Sequence, residues 1–176
     1  QIVVETFEGL VPGPDARVAF DDLYDRFCRA DAWRLADSAI ETFEELRAAG
    51  FQLGILSNWD SRLEPTLAGM GVLEYFDLRI MSWRVGVEKP HPRIFEEAVG
   101  AANAPPATAL HVGDSYEWDI APARRLGMKA IWLKTGGSGE EEARDEVNLV
   151  ADDSGVAVAR DFSEILGRIR ELNVNR

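Results

Sequence analysis

The sequence predicts an α/β fold built on a parallel sheet, and three observations lead there. Short apolar runs recur along the chain, stretches of about ten residues with helical spacing separate them, and glycines stand where those stretches end. Phe20, Leu23, Tyr24 and Phe27, then Ile40, Phe43 and Leu46, recur at three and four, which predicts two helices within Phe20–Ala49 and a break over Ala30–Arg34. Gly50 closes the second helix, and Phe51–Ser57 follows as a mostly apolar strand. A helix over Ser61–Met70 stops at Gly71. Leu78–Met81 is the next strand, and Pro92–Ala102 a helix that opens on proline, which suits the first helical turn. Ala109–Val112 is a third strand, Trp118–Leu126 a helix stopped by Gly127, and Lys129–Leu133 a fourth strand. Thr135–Asp153 is rich in glycine and acid, after which Val156–Ala159 reads as a last strand and Phe162–Leu172 as a last helix. No internal repeat is present.

Composition narrows the function. At 176 residues the chain is long enough for one domain with a real core, or one domain with a small appendage. No apolar run approaches the roughly 18 residues that cross a bilayer. Nineteen basic against thirty-one acidic residues leave a net charge of −12, which repels nucleic-acid backbones and anionic lipid, so neither nucleic acid nor membrane is an expected partner. The single cysteine, Cys28, forms no internal disulfide and the two histidines, His91 and His111, anchor no zinc cluster, which points to the cytoplasm or another reducing compartment. A chain that begins at Gln1 rather than Met reads as processed or trimmed.

Three segments carry chemistry, each just past the carboxyl end of a strand, where an open parallel sheet binds its ligands. In Leu56-Ser57-Asn58-Trp59-Asp60 a hydroxyl and an amide suit a phosphate or carboxylate oxygen; taken alone, the segment reads better as a turn and a helix cap. In Val87-Glu88-Lys89-Pro90-His91-Pro92 a lysine is set on a stiff loop, in a chain with sixteen arginines and three lysines, and a compact cation there suits a phosphoryl oxygen. The competing reading is a solvated surface lysine. His91 is a loop residue, and His111, inside a strand, reads as a core histidine rather than a ligand. In His111-Val-Gly-Asp114-Ser-Tyr-Glu-Trp-Asp119 a carboxylate follows a strand and a glycine, with a second five residues on, a hard oxygen set suited to Mg²⁺.

Ser57-Asn58, Lys89-Pro90 and Gly113-Asp114 with Asp119, in that order, resemble motifs II, III and IV of the haloacid dehalogenase-like (HAD) hydrolases. The longer stretches Leu53–Leu63 and Gly86–Phe95 resemble the HDHD3-type, phosphatase-like branch. The resemblance covers about residues 38–135. It implies a Rossmann-like parallel sheet with a helical cap, Mg²⁺ as cofactor, and phosphoryl transfer through an aspartyl intermediate. By position, Ser57 and Asn58 would bind the phosphoryl group of a small phosphorylated substrate. Lys89 would pair with that group and with the nucleophile, so that Lys89 and Ser57 form the catalytic pair within this chain, while in the metal site Asp114 would hold Mg²⁺ and Asp119 would support it from behind the direct ligands. Residues 1–46 would be a partial cap with its connection, and residues 47–176 the core.

One part of the pattern is absent. The family carries an Asp-x-Asp pair after its first strand, and no strand followed by Asp-x-Asp lies upstream of Ser57. The adjacent acids of Phe20-Asp21-Asp22-Leu23-Tyr24-Asp25 sit in a helical pattern, and Asp60 does not have the placement that covalent attack requires. In the related fold the nucleophile strand lies between the strand ending at Ser57 and the strand ending at Gly113. The expectation is therefore that an N-terminal segment outside this sequence, or a partner chain, supplies that strand. Two function classes follow: a Mg²⁺-dependent phosphatase whose nucleophile lies upstream, and a catalytically inactive structural or interaction subunit. Removal of halogen is a less favoured third, because it does not need the metal that the acid pair suits.

Overall fold

The computed structural model describes residues 14–134 and 154–174. Along the chain run α1 (Pro14–Cys28), α2 (Ala39–Ala48), β1 (Gly54–Ser57), α3 (Leu63–Gly69) and β2 (Leu78–Met81). Then come the short α4 (Ser82–Val85), α5 (Pro92–Ala101), β3 (Leu110–Gly113), α6 (Ala121–Arg125), β4 (Lys129–Leu133), β5 (Val156–Ala159) and α7 (Ile165–Glu171). The expected strands and helices are all found, and the fold is the α/β arrangement with parallel sheets: β2, β4 and β5 keep their expected bounds, β3 moves by one residue, β1 and the predicted helices from α3 onward are shorter than expected, and α1 starts earlier, at Pro14. The expected acidic, glycine-rich Thr135–Asp153 lies outside the described residues.

Two structural units are present, one holding the described residues up to Arg34 together with Ser61–Leu73, the other Leu35–Asp60 and Glu74 onward. In the first, α1 and α3 are accompanied by a 3₁₀ turn at Ala30–Ala32, where the sequence placed its break. The Arg62 guanidinium lies 4.0 Å over the Tyr24 ring, and Trp33 packs edge-on against Phe27 while its Nε1–H donates to the Phe27 carbonyl at 3.1 Å.

The second unit carries the sheets. Its helices end as the glycines predict: Gly50 and Gly127 adopt φ of 86° and 89°, and the residue after each donates back to the helix, Phe51 N–H to the Leu46 carbonyl and Met128 N–H to the Ala123 carbonyl. That is the Schellman closure, which a side chain with a Cβ would strain. β1 pairs with β2 in parallel, Gly54 opposite Leu78 and Ser57 opposite Met81. β4 pairs in parallel with β3 on one side and β5 on the other. Successive residues of β4 face opposite ways. Ile131 and Leu133 join Leu46 of α2 and Ile165, Ile169 and Leu172 around α7, while Ala130 and Trp132 join Ile120 on the other face. A third cluster places Ile80 of β2 against Ile94 and Phe95 of α5, with Ala123 and Met128.

β1 and β3 belong to different sheets, with strand orders β1-β2 and β3-β4-β5. No ladder joins residues 54–57 to residues 110–113 among the described residues. Direct pairing of those two strands would have closed the interval between them, and it does not occur.

Candidate active site

The loops that follow β1, α4 and β3 meet through one chain of hydrogen bonds within the second unit. Asn58, just past β1, uses both ends of its amide on the backbone of Lys89: its Nδ2–H donates to the Lys89 carbonyl at 3.0 Å, and its Oδ1 accepts the Lys89 N–H at 2.6 Å. The Lys89 loop leaves α4 through Gly86 at φ 78° and enters α5 through His91, whose Nδ1 accepts the Arg93 N–H at 3.2 Å. His91 is thus a helix cap, which suits an acceptor at that position.

From this loop the Lys89 ammonium donates to Asp119 Oδ1 at 2.6 Å. The same oxygen lies 2.8 Å from His111 Nε2, and Asp119 Oδ2 accepts the Ser115 N–H at 3.2 Å. Asp119 is 2% exposed. Burial pushes its carboxyl up, but the hydrogen bonds and charges of His111 and Lys89 outweigh it and bring it down to about 2. An ionised carboxylate only accepts, so the His111 Nε2 beside it carries a proton.

Two local features put Asp119 there. Tyr116–Ile120 forms a single wide π turn, in which the Asp119 and Ile120 N–H groups both reach the Ser115 carbonyl, rather than the start of the regular helix expected over Trp118–Leu126. Such turns re-aim side chains and are frequent at functional sites. Gly113 supplies the space: a Cβ on it would lie 2.3 Å from Asp119 Cγ and 2.7 Å from Oδ2, closer than any side chain tolerates. The group that approaches this glycine closely is the Asp119 carboxylate.

Of the predicted residues, Asn58, Lys89 and Asp119 are joined directly. Ser57 is half-buried at the last position of β1, and Asp114 is exposed immediately after β3, its carbonyl accepting the Trp132 indole N–H at 3.0 Å. Asn58, expected to face a phosphoryl group, spends its carbonyl oxygen and an N–H on the Lys89 backbone and acts there as a brace. Asp119, expected to support the metal site from behind its direct ligands, has both oxygens engaged by protein donors. His111 is the participant that sequence reasoning missed. It is buried as a core histidine should be, with Phe95 edge-on at 5.3 Å, yet its far nitrogen reaches the site carboxylate. His111 and Gly113, two apart on a strand, share a face, and Asp119 lies across both; that spacing was the available signal.

The donors suit Mg²⁺ in kind, since carboxylate oxygens are its hard ligands. Among the described residues no group of three or more His, Cys, Asp or Glu side chains is arranged to hold a metal ion. Mg²⁺ does not require one, because it keeps several waters and is commonly held by one or two carboxylates and a substrate phosphate.

Residues 4–127 match the family model described as haloacid dehalogenase-like hydrolase. The chain belongs to that family. It is similar to haloacid dehalogenase-like hydrolase domain-containing protein 3 of Mus musculus, with 38% identity over 149 residues, 83% of this chain and 59% of that protein. It is also 34% identical to the glyceraldehyde 3-phosphate phosphatase of Methanopyrus kandleri over 108 residues, 61% of this chain and 46% of that enzyme. Among solved structures, the HAD phosphatase from Thermococcus onnurineus superposes with a TM-score of 0.70 at 26% identity, covering 85% of this chain and 64% of that one. The chain thus spans less than two thirds of the length of these relatives. No described helix is long and apolar enough to cross a membrane.

Proposed function

We propose that the protein is a Mg²⁺-dependent phosphatase acting on a small phosphorylated metabolite through an aspartyl-phosphate, in the cytoplasm or another reducing compartment. The observation that carries this reading is the hydrogen-bonded run from Asn58 through Lys89 to Asp119, which sets one ammonium group beside the carboxyl ends of β1 and β3. A phosphoryl group in transfer gathers negative charge on its outer oxygens, and a fixed cation whose counter-ion is already in place stabilises that charge without reorganising. Ser57 donates its hydroxyl to the same oxygens, with Asn58 as brace and second donor. Asp114, with Asp119 behind it, would hold Mg²⁺, which when bound neutralises phosphate charge. The nucleophilic aspartate lies upstream, on a strand between β1 and β3 contributed by an N-terminal segment or by a partner chain. The absence of a ladder between β1 and β3 among the described residues supports that placement, since backbone N–H and C=O groups taken out of water require partners. Residues 1–46 belong to a helical cap and its connection.

The test uses the protein at its natural length with Mg²⁺ and a panel of aryl and sugar phosphates. Phosphate release that EDTA stops, and that Asp114→Asn lowers by at least about 10²-fold, is the expected result. Silence of the purified protein across the panel would instead place it among non-catalytic subunits that keep the fold.

A further inference from the structure

We infer that His111 is a positioning residue for Lys89, acting through the Asp119 carboxylate. The inference rests on the phosphatase reading for its kinetic consequence and on geometry alone for its structural one. Asp119 Oδ1 takes two donors, Lys89 Nζ at 2.6 Å and His111 Nε2 at 2.8 Å, while Oδ2 takes the Ser115 N–H at 3.2 Å. Three donors from three directions leave the carboxylate plane one orientation. With the imidazole removed, Oδ1 keeps only the lysine, and a long flexible side chain follows its partner rather than fixing it. The imidazole itself does not turn: it sits within β3 with its ring against Phe95 at an interplanar angle of 80°. Rigidity thus passes from the strand to the histidine, from the histidine to the carboxylate, and from the carboxylate to the ammonium group. Partners that orient a charged group without touching substrate are commonly worth 10–100-fold in activity. A shift of about 1 Å in a catalytic group is enough for a loss of that size.

His111→Leu deletes the donor. His111→Phe deletes it while keeping a ring against Phe95, and His111→Gln offers a replacement N–H at a similar reach. The natural-length protein, labelled with ¹⁵N at lysine, gives a readout independent of catalysis, and this chain contributes to it only Lys89, Lys129 and Lys134. A lysine ammonium resonance is observable where a hydrogen bond holds the group and slows its exchange. The Lys89 resonance, assigned by its absence in Lys89→Met, is expected in the wild type and in His111→Gln and lost in His111→Leu and His111→Phe. With an active substrate from the panel, kcat should fall about 10–100-fold in the Leu and Phe variants with KM changed less than about threefold, and return to within a few-fold in Gln. A Lys89 resonance that persists in His111→Leu or His111→Phe overturns the inference. So does its equal loss in His111→Gln, which would make the ring's packing the cause rather than its hydrogen bond. If the wild type hydrolyses nothing, the phosphatase reading fails, and the ammonium resonance still decides the role of His111.

Discussion

β4 has a ladder on each side and is buried from Ala130 to Leu133, whereas β1, among the described residues, has a ladder only to β2 and begins at an exposed Gly54. The three-stranded half is therefore held by backbone pairing and by cores on both of its faces. The two-stranded half is held by its contribution to the Ile80–Phe95 cluster and by side-chain bonds at its carboxyl end. Asn58 and Lys89 are those bonds, so the residues that build the site also tie one sheet to the other. Stability and chemistry overlap on one side of the molecule and are separate on the other.

The widest separation should come from matched truncations in the two halves. Ile131→Ala, at a fully buried position of β4, should cost about 2–5 kcal/mol, and Ile55→Ala, half-buried in β1, about 1 kcal/mol, both read from urea unfolding midpoints. Equal costs would remove the asymmetry. Acid should act next, on the tie itself. The Asp119 carboxyl is lowered from 3.8 to about 2 in the folded protein, so the unfolded chain takes up the proton first as pH falls. Its contribution, about 2 kcal/mol, is complete above pH 4 and is lost between pH 4 and pH 2. In Asp119→Asn the drop in stability over that window should shrink by about the same amount. The smallest effect belongs to the brace: Asn58→Ala should lower stability by about 1 kcal/mol, with amide exchange quickening at Lys89 and not in β4.

The same asymmetry governs what could be read from the sequence. Strands and helices were legible because their signals are local: the apolar spacing of Ile40, Phe43 and Leu46, and the stop glycines at positions 50, 71 and 127. Boundaries moved where tertiary bonds took over, as at Tyr116–Ile120, where the wide turn is set by Asp119 reaching under Gly113. Nothing in residues 116–120 alone announces it. The division between the units is likewise a property of packing: residues 35–46 join the sheet-bearing unit while residues 61–73 join the other, a grouping that no composition shift marks. Within the site, Lys89 and Asp119 were legible as charges in the right order along the chain. Their direct bond was not, and neither was the third member, since a histidine in a strand has the same sequence signature whether or not it reaches a carboxylate.

The cluster around Leu46, Ile131 and Leu133 is completed by Ile165, Ile169 and Leu172, and the Lys129 ammonium, at the start of β4, donates to the carbonyls of Leu172 and Asn173. An early helix and a late one therefore share a single hydrophobic contact set, separated by more than a hundred residues of chain. On the ribosome, α2 can form and meet Phe76 and then β4, but its cluster with Ile131 and Leu133 stays open on one side until α7 has left the exit tunnel. Until then the nascent chain exposes Leu46 and the α7-facing side of β4 to whatever chaperones attend it. Loop closure over that span is an entropy cost that the docking of α7 has to meet.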